Sequence, residues 1–284
     1  MATRLEISLL KRLSELEQEF LGKFEKQIHA LMVMPSLYTE QQIAQWHLPH
    51  AGELARLLTS WMRDAYAVGQ AHGDLLVGDL ERRFGKHKLV DWQPSCYRLA
   101  SVGYSTEEFW LLPAEAIKEF SKRELLLAGD VEGDISSNIK GIMVDHLHGI
   151  PRAQTEEAIA NLIEKNKNRA RLITTTETTY AYNRGRLTSY HGNDVDYVSF
   201  SAVMDMRTSQ QCRSRHGLVM RLDSPEISGN IPPLHGRCRS VLSPLFSKYQ
   251  PELITPETTD WSNVERLPNG WKIGILDGTK LKVV

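Results

Sequence analysis

Cysteine is scarce in this 284-residue chain, three residues in all, and that scarcity excludes a disulfide-stapled secreted scaffold. No apolar run approaches the ~20 residues of a transmembrane helix, so no membrane role is expected. Neither charge dominates. The 34 Lys and Arg oppose 35 Asp and Glu, which leaves no global field to drive the chain onto nucleic acid or lipid. The opening Met1-Ala2-Thr3-Arg4-Leu5-Glu6-Ile7 mixes charges from the start and has no signal-peptide apolar stretch. The expectation is a soluble protein made in a reducing cytoplasm. Internal repeats and low-complexity tracts are absent as well.

What the chain does have is concentration. Two of the three cysteines fall between Asp205 and Ser240, each with a histidine close by. Ser209 is suited to N-cap a short helix and Gly217 to end it, so the intervening residues can make two turns. On such turns Cys212 and His216 are i and i+4 and share a face. Pro232-Pro233 then stiffens an extended approach that delivers His235 and Cys238 on a tight turn. A thiolate and an imidazole from each side would fill a tetrahedral zinc shell with four protein groups, which describes a structural site. Two other readings stand beside it. Both cysteines can be buried free thiols with surface histidines beside them, or Cys212 and Cys238 can form a disulfide. A reducing compartment argues against the disulfide.

The rest of the chain reads as helix first and strand late. Leu5, Leu9, Leu13, Leu16, Phe20, Phe24, Ile28 and Leu31 make one apolar stripe over about 4–31; such a stripe is core, or docks on a partner or a second copy. A second helix, about 50–76, turns Leu54, Leu57, Leu58, Trp61, Met62, Ala65, Tyr66 and Val68 inward, and Gly69 and Gly73 either admit a close neighbour or end it. Residues 78–105 read as an irregular connection around Trp92, Cys96 and Tyr97. Helices follow over about 113–128 and 131–148, a shorter one runs from Thr155 through Ile163, and another spans about 168–190. His146 and His148 are i and i+2, on different helix faces, and do not read as a shared metal site. Val195 to Val203 alternates as a strand. Residues 246–266 read as a linker, and 271–284 as a β-hairpin turning at Asp277-Gly278.

The helix at 168–190 is the odd one. Ile173, Thr174, Thr175, Thr176, Thr178 and Thr179 are β-branched and poor helix formers, so packing must impose the helix. Glu177 would share its apolar face, and a buried carboxylate needs a partner. Arg207 is the expected one, tying this helix to the Cys-His segment as a structural ion pair.

These same residues carry a resemblance. The Asp205-x-Arg207-Thr208 opening, Cys212, Gly217, and the closing Pro232-Pro233-x-His235-x-x-Cys238-Arg239 resemble the phage MuF-like head-morphogenesis family, the minor head proteins of tailed phages. The line Arg169-Ala-Arg-Leu-Ile-Thr-Thr-Thr176-Glu177, with Ala181 and Asn183, resembles that family's Thr-Glu helix. The resemblance covers about residues 113–245. Many relatives end the second motif Cys-Arg-Cys where this chain has Ser240, which leaves His216 as the fourth candidate ligand. The resemblance implies a minor head protein inside the virion, near the portal, after assembly in the host cytoplasm. It implies the portal ring as partner, with scaffolding protein, major capsid protein and phage DNA as further candidates, and a role in packaging or delivering DNA.

The arginines of the same stretch, Arg213, Arg215, Arg221, Arg237 and Arg239, suit a grip on DNA phosphates or on an acidic protein. No aromatic residues interleave for base stacking, so a solvated face is the competing reading. Enzyme readings fit the residues less well. An ADP-ribosyltransferase normally shows a Glu-x-Glu element, and none occurs after residue 150. An HNH-type nuclease would need a histidine between Gly217 and Leu234, where there is none. The sequence therefore predicts a non-enzymatic α+β protein. Its N-terminal two-thirds would be mostly helical, followed by a small mixed C-terminal domain with a zinc knuckle and a terminal β-hairpin. The expected division is an N-terminal helical region at 1–105, the MuF-like domain at 106–245, and a linker with hairpin at 246–284.

Overall fold

The computed structural model describes residues 4–31, 39–84, 114–224, 227, 229–254 and 262–265. Of the irregular connection expected at 78–105, residues 78–84 instead continue a helix; the rest of it, with Cys96, and the hairpin at 271–284 lie outside the described residues. The elements are α1 (Arg4–Leu31), α2 (Glu40–Gln45), α3 (Glu53–Phe84), α4 (Ala114–Leu147), α5 (Arg152–Gly192), β1 (Tyr197–Ser201), a one-turn α6 (Gln210–Arg213), β2 (Val219–Arg221) and β3 (Val241–Leu245). Long helices thus precede a small antiparallel sheet of order β2-β1-β3, the α+β arrangement expected.

The stripe of α1 is core. Leu16, Phe20, Phe24 and Ile28 are buried, and Phe20 stacks on Trp61 of α3 with ring centroids 4.2 Å apart. Two pairs of expected helices are single ones. Leu127, Val131, Ile135, Ile139 and Met143 keep a four-residue step along α4 and are all buried, so the stripe passes through Gly129 without losing phase. In α5 the polar stretch around Asn166 is continuous for the same reason. Asn166 is buried in the stripe, and its amide donates to the Leu162 carbonyl at 2.9 Å.

The threonines of α5 explain how poor helix formers sit in a buried helix. The hydroxyls of Thr174, Thr176 and Thr178 donate to the carbonyls four residues back, at 2.8, 2.7 and 2.8 Å. Each side chain thereby satisfies its own polar group and presents its methyl to the core.

Helices α3 and α5 cross at glycine. A methyl group on Gly185 would overlap the Tyr66 carbonyl, and one on Gly69 would overlap the Tyr182 carbonyl. One on Gly73 would come within 2.7 Å of the Ser189 Cβ. Gly69 and Gly73 therefore admit a neighbour rather than end α3. Beside the crossing lies a polar pin. The buried Arg186 donates to the hydroxyls of Tyr190 (2.9 Å) and Tyr182 (3.2 Å). Tyr190 in turn donates to the Leu242 carbonyl at 2.9 Å, and His72 of α3 hydrogen-bonds the Tyr182 hydroxyl. Burial pushes the Tyr190 phenol up to about 12 despite the adjacent guanidinium.

The sheet closes the end of the bundle. Val198 and Phe200 of β1 face inward and are fully buried; Val198 pairs with Met220 and Phe200 with Leu242. The start of the expected linker folds back rather than hanging free. Phe246 is buried, and Tyr249 packs on it and on Phe84. Among the described residues no helix is long and apolar enough to cross a membrane.

Candidate metal centre

Ser209 N-caps α6, its Oγ accepting from the Cys212 N–H at 3.3 Å, and Gly217 follows with φ +86°. The cap expected from the sequence is there, but the helix ends at Arg213 with Ser214 as its C-cap, so Gly217 does not terminate it. The helix is only one turn, so Cys212 projects from it while His216 falls beyond its end. On the other side Pro232, Pro233 and Leu234 are buried, and the Cys238 N–H bonds back to the His235 carbonyl at 3.3 Å. That turn swings the imidazole and the second thiol together.

The result is a three-residue cluster. The ligand atoms of Cys212, His235 and Cys238 all lie within 4.8 Å of one another. Cys212 Sγ is 3.5 Å from Cys238 Sγ and 3.2 Å from His235 Nε2. A tetrahedral zinc, with bonds of about 2.3 Å to sulfur and about 2.0 Å to nitrogen, would set these separations near about 3.8 and about 3.6 Å. The donor set thus fits the ion with shifts of a few tenths of an ångström. Both cysteines are free thiols, so the disulfide reading does not hold.

The three groups share protons closely. His235 Nδ1 lies 2.8 Å from the Gly236 carbonyl, which can only accept, so Nδ1 carries a proton and Nε2 is the nitrogen that faces the Cys212 sulfur, at 3.2 Å. The Cys212 thiol is pushed down to about 4, first by the Cys238 thiol donating to it, and further by His235 and the hydroxyls of Ser240 and Ser209. Sharing that proton, with burial, pushes Cys238 in the opposite direction. Contact with the Cys212 sulfur raises His235. The pair therefore behaves as a thiolate with a proton-holding neighbour, ready to exchange that proton for a cation.

Helix α5 supports the site through its side chains. Thr176 Oγ1 accepts from the Arg237 N–H at 3.0 Å, and Thr179 Oγ1 donates to the Cys238 carbonyl at 2.7 Å. Asn183 donates to the Ser240 carbonyl at 3.2 Å and accepts from the Leu242 N–H at 3.3 Å. Tyr190 completes the series at the Leu242 carbonyl. Backbone 237–242 is thereby fastened, residue after residue, along one face of the helix. None of these contacts was assigned from sequence, although Thr176 and Asn183 stood in the motif that drew attention to the helix.

Three expectations change. His216 is not with the cluster: it is exposed, and its Nδ1 accepts from the Ala202 N–H at 3.1 Å, so the protein brings three ligands together rather than four. Glu177 is buried as expected, but Arg207 is at the surface, its side chain 80% exposed and its Nε 3.9 Å from Asp205. The tie between the two segments is the Thr-Asn series, not that ion pair. The arginines do not form one open face either. Arg215 is buried and donates to Asn230 (2.7 Å) and to the carbonyls of Gln211 and Glu265 (both 2.8 Å). Arg221 forks onto Asp223 at 2.9 and 2.8 Å. Arg239 forks onto Asp205 at 2.8 and 2.6 Å, and Arg213 donates to the Asp205 carbonyl at 2.9 Å. Arg237 is exposed.

Residues 139–243 match the model of the family described as Phage Mu protein F like protein. The match, a little over a third of the chain, is to the family that the two motifs resemble, and it takes in the last quarter of α4, all of α5 and the Cys-His-Cys cluster. No curated protein and no solved structure matches the chain.

Proposed function

We propose that this is a phage head-morphogenesis protein: a non-enzymatic minor head component that associates with the portal vertex and influences DNA packaging or delivery. The observation that carries the reading is the coincidence of the Mu F-like match with the second half of α5 fastened to the Cys-His-Cys turn. Zinc at Cys212, His235 and Cys238 would lock that turn and hold the 205–240 segment rigid on the helix. A structural ion suits the setting. The notch in front of the cluster has room for little more than one water-sized group, far short of a usual small-molecule pocket. Inside the virion the protein would meet the portal ring first, with scaffolding and major capsid proteins as further neighbours.

The test is co-sedimentation of the purified protein with the portal ring of the same phage. Association that survives Glu177→Gln supports the structural role. No association, together with turnover in nuclease or NAD-cleavage assays that Glu177→Gln abolishes, would replace it with the enzymatic alternative.

A further inference from the structure

The three-ligand cluster leaves one tetrahedral vertex, and its place is defined. Cys238 is fully buried behind the site, whereas Cys212 and His235 front the notch together with Arg207, Arg237, Arg239 and Ser240. The fourth vertex therefore opens to the surface. Ser240 is buried, lines the notch and turns its hydroxyl toward the Cys212 sulfur. A serine hydroxyl is a poor zinc ligand beside two thiolates.

The rim has a definite chemistry. Arg207 and Arg239 share one carboxylate, Asp205, and among the described residues the Arg237 side chain makes no hydrogen bond or ion pair. Two thiolates would cancel the charge of a zinc ion, so the rim keeps an excess of positive charge and favours an anionic visitor. Beside it stands an apolar loop. Val203 and Met204 are about half exposed, and Met206 is completely so. Asp205 holds that loop in shape by accepting from Arg239, from Thr208 and from the Arg207 N–H. Methionine and arginine together on a pre-shaped surface are what protein interfaces use, and the notch has room for about one water-sized group, a single carboxylate oxygen rather than a nucleotide.

We propose that a protein partner docks on the Val203–Met206 loop and Arg237, and that one of its acidic side chains enters the notch as the fourth ligand of the zinc. The proposal rests on zinc being held by Cys212, His235 and Cys238. It makes the metal part of an interface that this chain leaves incomplete.

Cobalt(II) in place of zinc gives visible absorption bands that report the ligand set. The full-length protein is loaded with cobalt and titrated with the peptide acetyl-Leu-Glu-Leu-amide, with its Gln counterpart, and with inorganic phosphate. The expected result is a saturable band shift with the Glu peptide and none with the Gln peptide. The apparent affinity should fall about two- to fivefold in Arg237→Ala, the range for a rim charge. Ser240→Cys should bind cobalt with stronger sulfur-to-metal absorption and lose the peptide response, because the chain then fills its own fourth position. Cobalt binding with bands indifferent to the Glu peptide would overturn the proposal and leave the three-ligand metal site standing. A phosphate response equal to that of the peptide would overturn the protein carboxylate in favour of a phosphate ligand. Absence of cobalt uptake would remove the metal site itself.

Discussion

Asp64 lies on α3 near Arg12, Glu19 and Lys23 of α1, and burial outweighs the two cations and pushes its carboxyl up to about 6. The sign of its effect on stability follows. Between about pH 4 and 6 the folded chain holds a proton that the unfolded chain has released, so this group's contribution falls as pH rises through that window and stays unfavourable above it. Asp64→Asn should stabilise the protein at pH 7 by about 1–2 kcal/mol and make little difference below pH 4, read by denaturant unfolding at the two pH values. Asn183 is the opposite case, a buried amide using both ends on the 240–242 backbone. Asn183→Ala strands a buried carbonyl and a buried N–H, and should cost about 2–4 kcal/mol in the same assay. Legibility at this scale was uneven. Cys212, His235 and Cys238 could be read because short ligand spacings on tight turns survive folding. His216 could not, because its placement required the helix at 210 to run two turns. Arg215 could not either, since charge in a sequence does not say whether a guanidinium faces water or, as here, caps internal carbonyls.

Elements read best where one apolar stripe keeps its phase. The extent of α1 follows from its leucines and phenylalanines, whereas α4 and α5 looked divided because glycines and a polar run interrupt composition without interrupting the buried face. The helicity of the threonine run had to be imposed from outside, and the structure shows by what: back-bonded hydroxyls within α5 and its fastening to 237–242. The glycines make the sharpest prediction here. Gly185→Ala forces α3 and α5 apart at Tyr66 and should destabilise by about 3 kcal/mol or more, since backbone rather than a flexible side chain must move. Gly141→Ala meets nothing within 4 Å on α4 and should stabilise by roughly 0.5–1 kcal/mol through helix propensity alone. The two substitutions are chemically identical, so opposite shifts in thermal unfolding would isolate the crossing as the cause. Equal shifts would mean that the helices do not approach at Gly185.

At the scale of the whole molecule, α1–α5 and β1–β3 share one hydrophobic core running from Leu16 to Phe246, and the Mu F-like match covers its C-terminal stretch. The N-terminal helices buttress α5, α5 carries the Cys-His turn, and residues near Glu265 return to the same place, where the Glu265 N–H donates to Ser214 and its carbonyl accepts from Arg215. A metal at the cluster would thus stiffen the point where three parts of the chain converge. Overall class was legible from periodicity and turn residues. The convergence was not, because it depends on polar contacts between segments more than fifty residues apart. The most direct test is metal analysis of the purified protein alongside His216→Ala and His235→Ala, with thermal unfolding before and after chelation. About one zinc per chain is predicted for the unaltered protein and for His216→Ala, with loss of zinc and of the chelator-sensitive stability in His235→Ala. No zinc in the unaltered protein, or its loss on changing His216, would contradict the three-ligand centre.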